Sequence, residues 1–127
     1  MPERLTALRT APSVASKRAS RLLPFTYRRS RAGSTTTIAV CGELDITSVP
    51  VLDTQLRAAA REAVRVVLDL RSLEFVDSSG AALLVSTYRR MRQAGGRLLV
   101  VRGPFEVQWL LELMRVDREL EFVAQPA

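Results

Sequence analysis

The feature that most constrains this chain is the stretch Leu73–Val85, which reads LEFVDSSGAALLV. An apolar, β-branched run at residues 64–70 leads towards it and predicts a strand. Residues with helical spacing follow, and their predicted inner positions are Ala81, Leu84, Val85, Tyr88 and Met91. The tetrapeptide Asp77–Gly80 is therefore predicted to lie where a strand is followed directly by a helix.

A serine at the start of a helix has an electropositive environment. The first backbone N–H groups of a helix lack partners within the helix, and the positive end of the helix dipole lies there. A serine at this junction can act as the N-cap, with an exposed hydroxyl close to those N–H groups. A phosphate on the same oxygen would be bound by them, as anions are at helix N-termini. We therefore interpret the rest of the chain as a scaffold for this serine.

The other segments alternate between strand and helix patterns. Residues 22–29 and 35–41 predict a hairpin with a turn at 30–34. Thr47 or Ser48 can cap a helix that has Pro50 in its first turn. Later patterns predict a strand at 64–70, a helix ending near 94, a strand at 97–101, a helix at 105–114 and a strand at 121–123. This alternation predicts an α/β fold, a single domain with a mainly parallel sheet of about four to five strands and three to four helices.

The positive charge of the chain is concentrated in its N-terminal quarter. Residues 1–33 hold eight basic groups and one acid, whereas residues 34–127 hold 11 basic groups and 12 acids. Residues 1–21 have weak periodicity and are predicted to be a disordered, basic extension, which leaves residues 22–127 as the domain. The composition of the extension also fits a transit peptide. No aromatic residue precedes Phe25, so specific nucleic-acid binding is not expected.

Two residue types limit the chemistry of the chain. It has no histidine, which excludes Ser-His-Asp triads and histidine metal sites. It has one cysteine, Cys41, so an internal disulfide cannot form and a reducing cytoplasm is expected. No apolar run approaches the roughly 20 residues that a membrane span needs. We therefore expect a cytoplasmic protein that is not an enzyme and needs no metal or cofactor, with Cys41 in the core and Trp109 filling the core or a groove.

The order of these motifs resembles the STAS domain (sulfate transporter and anti-sigma factor antagonist). Within that family the chain is most similar to the single-domain bacterial anti-sigma factor antagonists. The resemblance covers residues of about 22 to 125 and is carried by Gly42–Asp45, Val66–Leu70 and above all Phe75–Gly80. Gly95–Leu98 and Leu110–Met114 add support. The ordered set of motifs is more specific than Asp-Ser-Ser-Gly alone.

The resemblance implies a partner switch. In such proteins an anti-sigma factor with ATP-dependent serine kinase activity phosphorylates the serine directly after the aspartate, which is Ser78 here. The unphosphorylated antagonist binds that anti-sigma factor and frees a sigma factor for transcription, and a PP2C-type phosphatase restores it. The chain departs from the family at Ala81-Ala82, where a larger residue followed by glycine is common. These positions lie just past the phosphoacceptor, so the departure is expected to alter the fit to the partner more than the chemistry.

Five more residues are expected to form the partner-binding surface: Glu43, Asp45, Asp77, Ser79 and Gly80. Asp77 can orient the hydroxyl or coordinate the kinase's Mg²⁺, or it can be a simple turn residue. Glu43 and Asp45 can face the partner or can satisfy loop amides. Ser79 is the rival phosphoacceptor, but one residue into the helix its hydroxyl is expected to point at backbone.

Three functions remain open from the sequence. The favoured one is a phosphorylation-controlled antagonist of an anti-sigma kinase. The second is a STAS scaffold or subunit that acts without phosphorylation, for example in a sensory or lipid-transport complex. The third is a nucleotide- or nucleic-acid-binding protein that works through the basic extension.

Overall fold

The computed structural model describes residues 24–124, and over this range the predicted α/β fold is confirmed. In chain order the elements are β1 Thr26–Ala32, β2 Thr35–Leu44, α1 Val49–Glu62, β3 Arg65–Val76, α2 Ser78–Gln93, β4 Arg97–Val101, α3 Phe105–Leu113, a 3₁₀ turn Asp117–Glu119 and β5 Phe122–Val123. The strands form one sheet in the order β1-β2-β3-β4-β5. β1 is antiparallel to β2, and the other neighbouring pairs are parallel. The extension predicted at residues 1–21 lies outside the described residues.

The N-terminal hairpin is confirmed, but its first strand is shifted from the predicted range of residues 22–29. β1 pairs with β2 from Thr26↔Cys41 to Ala32↔Thr35. The turn between them is tight because Gly33 adopts a positive φ of 62°, a conformation that glycine tolerates easily. Pairing therefore continues to Ala32, through residues that the sequence pattern places in the turn.

The central strand β3 is longer than the predicted residues 64–70. Residues 66–70 are all buried, so the prediction that both faces of this segment are covered is confirmed. The strand continues to Val76 because β2 continues beside it, with Leu44 opposite Val76. This extension places the end of β3 directly before the Asp-Ser-Ser-Gly junction.

A buried acid interrupts the apolar run of β3. Asp69 is 7% exposed, and its carboxylate accepts hydrogen bonds from the Arg71 side chain at 2.9 to 3.3 Å. Burial raises the pKa of Asp69, but the hydrogen bonds and the charge of Arg71 outweigh it and hold that pKa below its usual value. The ion pair therefore lets a charged residue occupy a buried strand.

The main core lies between the sheet and the helices. Val66, Leu68 and Leu70 of β3 pack in one cluster with residues of all three helices, including Leu56, Leu84 and Leu111. Val67 points to the opposite face and packs with Leu99 and Val101 in a smaller cluster, as the alternation of a strand requires. In the part of the chain that the structure describes, no helix has the length and apolar character to cross a membrane.

Two expectations about single residues are wrong. Cys41 is exposed, because Val40 and Gly42 are the buried residues at that end of β2 and neighbouring strand residues face opposite sides. Trp109 is 51% exposed, because α3 turns Val107 and Leu111 into the core and leaves Trp109 on its outer face. Both residues are apolar in character, but their positions in the elements decide their exposure.

Gly80, in the first turn of α2, allows that helix to approach the ends of β2 and β3 closely. A Cβ at this position would lie 2.8 Å from Leu44 Cγ, 2.8 Å from the Leu44 carbonyl oxygen and 2.9 Å from Val76 Cγ2. These distances are shorter than van der Waals contact, and one of the atoms is backbone. Any larger residue therefore has to push α2 away from the strands.

We expect Gly80→Ala to lower the free energy of unfolding. Overpacking of this kind costs about 1–3 kcal/mol, which exceeds the gain of about 1 kcal/mol that alanine brings to a helix interior. Urea denaturation followed by circular dichroism measures the difference. Ser78→Ala, a change at an exposed position in the same turn, is the control and is expected to stay within about 0.5 kcal/mol of wild type. An unchanged or higher urea midpoint for Gly80→Ala would contradict the packing argument.

Candidate functional site

The predicted site residues lie at the carboxyl ends of the neighbouring parallel strands β2 and β3. Leu44 is opposite Val76, and the Asp77 N–H donates to the Leu44 carbonyl at 3.1 Å. This bond joins the loop after β2, residues 45–48, to the first turn of α2. The structure therefore brings together the two parts of the sequence that carry Glu43, Asp45, Asp77, Ser78, Ser79 and Gly80.

Asp77 is the N-cap of α2, and the expectation that Ser78 takes that role is wrong. The Asp77 backbone is extended, and its Oδ1 accepts a hydrogen bond from the Gly80 N–H at 3.0 Å. β3 ends at Val76, so Asp77 is the last residue outside the helix and Ser78 is the first within it. A carboxylate here also interacts favourably with the positive end of the helix dipole.

The two adjacent serines have different environments. The Ser79 hydroxyl donates to Asp77 Oδ1 at 2.6 Å, so the expectation that it points at backbone is wrong. Ser78 is exposed, and within residues 24–124 its hydroxyl has no hydrogen-bond partner. A capping carboxylate thus binds one hydroxyl and leaves the other facing solvent.

The Asp45 side chain organises the loop beside this turn. Its Oδ1 accepts hydrogen bonds from the Thr47 N–H at 3.0 Å, the Thr47 hydroxyl at 2.7 Å and the Ser48 N–H at 3.3 Å. The Ser48 hydroxyl does not cap α1; it donates to the Glu43 carbonyl at 2.7 Å and accepts from the Asp45 N–H at 2.9 Å. Asp45 therefore satisfies loop amides, and the resulting loop holds a fixed shape next to Ser78.

Two exposed apolar residues lie near Ser78, and only one of them, Ala82, was noted in the sequence, as part of the Ala81-Ala82 departure. Ile46, in the loop 45–48, is 73% exposed. Ala82 is also exposed and lies one helical turn after Ser78, on the same side of α2. We call Ile46, Ser78 and Ala82 the Ser78 face. In the sequence, Ile46 is a single isoleucine between polar loop residues, so no periodic pattern of apolar residues marks it.

The charge around the Ser78 face is negative. Glu43, Asp45 and Asp77 lie at the ends of the two strands, and residues 43–48 and 76–84 include no basic residue. Within the described ranges there is no group of three or more Cys, Asp or Glu side chains placed to hold a metal ion. The arrangement presents to solvent apolar side chains and a hydroxyl that has no partner within residues 24–124.

Comparison with protein families gives a match over most of the chain. A family model described as "Mlab, STAS domain" matches residues 27–124. This range includes every element from β2 to β5 and all of the residues around Ser78.

Two curated relatives are anti-sigma-B factor antagonists. The chain is 30% identical to the Bacillus subtilis (strain 168) protein over 61 residues, which cover 48% of this chain and 56% of that protein. It is 29% identical to the Staphylococcus aureus (strain NCTC 8325 / PS 47) protein over 91 residues, which cover 66% of this chain and 84% of that protein. The chain thus spans little more than half the length of the first of these relatives.

The fold is also similar to that of SpoIIAA, an anti-sigma factor antagonist. Its unphosphorylated form matches with a TM-score of 0.66 at 18% identity, over 79% of this chain and 90% of that chain. The phosphorylated form of the Bacillus protein matches with a TM-score of 0.61 at 17% identity, over 79% of this chain and 93% of that chain. Identities this low show a shared fold. The family match over residues 27–124 identifies this chain as a member of the STAS domain family.

Proposed function

We propose that this chain is an anti-sigma factor antagonist whose binding to an anti-sigma factor is controlled by phosphorylation of Ser78. The observation that carries the proposal is the difference between the two serines at the start of α2. The Ser78 hydroxyl is exposed and unbound within residues 24–124, whereas the Ser79 hydroxyl donates to Asp77. The names of the two relatives support the choice of partner.

The exposed hydroxyl suits phosphoryl transfer from a kinase that is also the partner. The kinase would transfer the γ-phosphoryl group of ATP to Ser78 Oγ, with loss of the hydroxyl proton and release of ADP. The Ser79 hydroxyl would first have to break its 2.6 Å bond to the N-cap carboxylate. A PP2C-type phosphatase would hydrolyse the phosphate ester and restore the hydroxyl.

The domain itself should tolerate the phosphate. Phosphorylation adds a charge of about −1.5 to −2 at pH 7, and the helix N-terminus offsets part of it by roughly 0.3–1 kcal/mol at an exposed site. The carboxylate of Asp77 acts in the opposite direction. Because Ser78 is exposed, water can solvate the remaining charge, so the fold is retained.

A partner packed on the Ser78 face would not tolerate it. A partner that covers this face would remove water from the Ser78 hydroxyl, and a phosphate there would have to be desolvated. Residues 43–48 and 76–84 offer no basic side chain to compensate. The phosphate would therefore weaken docking while leaving the domain folded, which is the requirement for a switch.

A second candidate is a STAS subunit that docks through the same face without phosphorylation, for example in a sensory or lipid-transport complex. The description of the matching family model, "Mlab, STAS domain", favours this alternative. The Ser78 hydroxyl would then be a contact residue, and its conversion to a phosphate would have no physiological role. The two candidates differ in whether the wild-type chain carries phosphate at Ser78.

The first test is phosphorylation of the chain by a candidate anti-sigma kinase, sought among the products of the neighbouring genes. With labelled ATP we expect label on wild type and on Ser79→Ala, and none on Ser78→Ala, because of the two adjacent serines it is Ser78 whose Oγ is exposed and without a bond within residues 24–124. Mass spectrometry of the wild-type product locates the phosphate. Label that persists in Ser78→Ala, or binding of the partner with no label on wild type, would reject the proposed switch, and the latter result would favour the second candidate.

The second test is the affinity of charge variants for the same partner, measured by isothermal titration calorimetry. We expect Ser78→Asp to fold normally and to bind about 100-fold more weakly, a loss of about 2.8 kcal/mol at 1.4 kcal/mol per tenfold change. Ser78→Ala is expected to retain binding. Ser34→Asp adds the same charge at an exposed position in the β1–β2 turn, at the opposite end of β2, and serves as the control. Wild-type affinity of Ser78→Asp would contradict the role of the charge.

A further inference from the structure

The outer face of α3 is an apolar surface that the proposed switch does not use. Phe105, Trp109 and Leu113 follow one another at four-residue spacing and are 82%, 51% and 63% exposed. Residues with this spacing lie on one side of a helix. Val107 and Leu111, on the opposite side, are fully buried and attach α3 to the core. We call Phe105, Trp109 and Leu113 the α3 stripe.

Two carboxylates on α3 accompany this stripe. Glu106 and Glu112 are exposed and form no ion pair within the described residues. Four other acids at the surface of the described residues do pair with an arginine: Asp53, Glu62, Glu119 and Glu121. α3 also has no basic residue in its last turn to compensate the helix dipole. The helix therefore presents apolar area together with two carboxylates that form no ion pair within residues 24–124.

We propose that residues 1–23 of the same chain dock on the α3 stripe. This segment has the complementary composition, since it holds five basic residues against the single acid Glu3. It also holds leucines that can contact the stripe, among them Leu5, Leu8, Leu22 and Leu23. The proposal concerns a surface and a segment outside the Ser78 face, and it does not depend on the phosphorylation of Ser78.

The attachment point of the segment makes this contact possible. Pro24 lies at the carboxyl end of β2, where its carbonyl oxygen is 3.0 Å from a Cβ built on Gly42. α3 begins at Phe105, shortly after the carboxyl end of the parallel strand β4, and contacts β3. β3 is two positions from β1 in the sheet, a separation of about 10 Å at about 4.8 Å per strand. An extended segment of this length reaches up to roughly 75 Å, so the stripe is well within reach.

A segment of the same chain is favoured over a second copy of the domain. Two α3 stripes placed face to face would bring the Glu106 and Glu112 carboxylates of both copies together, which is unfavourable. A helix of nine residues is also small beside the roughly 800 Å² per partner of a stable interface. A tethered segment needs little area, because the linkage gives it an effective concentration on the order of millimolar.

The test uses the fluorescence of Trp109, the only tryptophan in the chain. In the full chain, the five basic residues of the segment are replaced by glutamine (Arg4, Arg9, Lys17, Arg18 and Arg21). If the segment covers the stripe, the emission of this variant shifts to longer wavelength and acrylamide quenches it more strongly than wild type. The double variant Glu106→Gln/Glu112→Gln is expected to show the same changes. Glu74→Gln, which removes a carboxylate from β3, is the control and should leave the emission unchanged.

Far-UV circular dichroism and thermal melting of each variant separate loss of docking from loss of the fold. Identical emission and quenching in wild type and in the variant with the neutral segment would overturn the proposal. Emission of wild type that changes with protein concentration would also overturn it, because it would assign the stripe to a second copy. Emission that shifts to longer wavelength on addition of salt in wild type, and not in the neutral variant, would support the electrostatic part of the contact.

Discussion

The functional part of this domain depends on the parallel pairing of β2 and β3 up to their carboxyl ends. The pair Leu44↔Val76 and the bond from the Asp77 N–H to the Leu44 carbonyl fix the start of α2 against the loop 45–48. Gly80 is required at the same point, because any Cβ there would collide with Leu44. The hydrogen bond between Asp77 and Leu44 and the absence of a side chain at Gly80 therefore set the positions of the residues near Ser78.

Asp77 makes the two neighbouring serines chemically different. Its carboxylate caps α2 through the Gly80 N–H and binds the Ser79 hydroxyl with the same oxygen. Ser78, one residue earlier, lies outside the reach of this arrangement and remains exposed. A feature that stabilises the helix thus also decides which of the two hydroxyls faces solvent. The loop 45–48 has a similar double role, since the bonds of Asp45 that shape it also hold Ile46 in solvent.

Some acids of the domain pair with arginines, whereas the acids near two of its surfaces, the Ser78 face and α3, include residues that do not. The body of the domain is close to neutral, and some of its surface acids pair with arginines of other elements, as Glu62 does with Arg29 and Glu121 with Arg97. The hydrogen bond from Arg97 lowers the pKa of Glu121, as expected for such a pair. Asp45 and Asp77 near the Ser78 face, and Glu106 and Glu112 on α3, form no ion pair with another residue of the range 24–124.

The sequence by itself determined the order of strands and helices, the central buried strand and the junction at residues 77–80. Periodicity and turn residues act locally, so these features can be read without knowledge of the fold. The tertiary structure decided which residue caps α2, because the end of β3 depends on its pairing with β2 and so makes Asp77, and not Ser78, the last residue outside the helix. It also decided the exposure of Cys41, Ile46 and Trp109, because these residue types are often buried and the sequence does not show that they are exposed here. The burial of a side chain depends on which residues pack against it, and many of these come from distant segments of the chain. Local patterns in a single sequence do not show which segments those are.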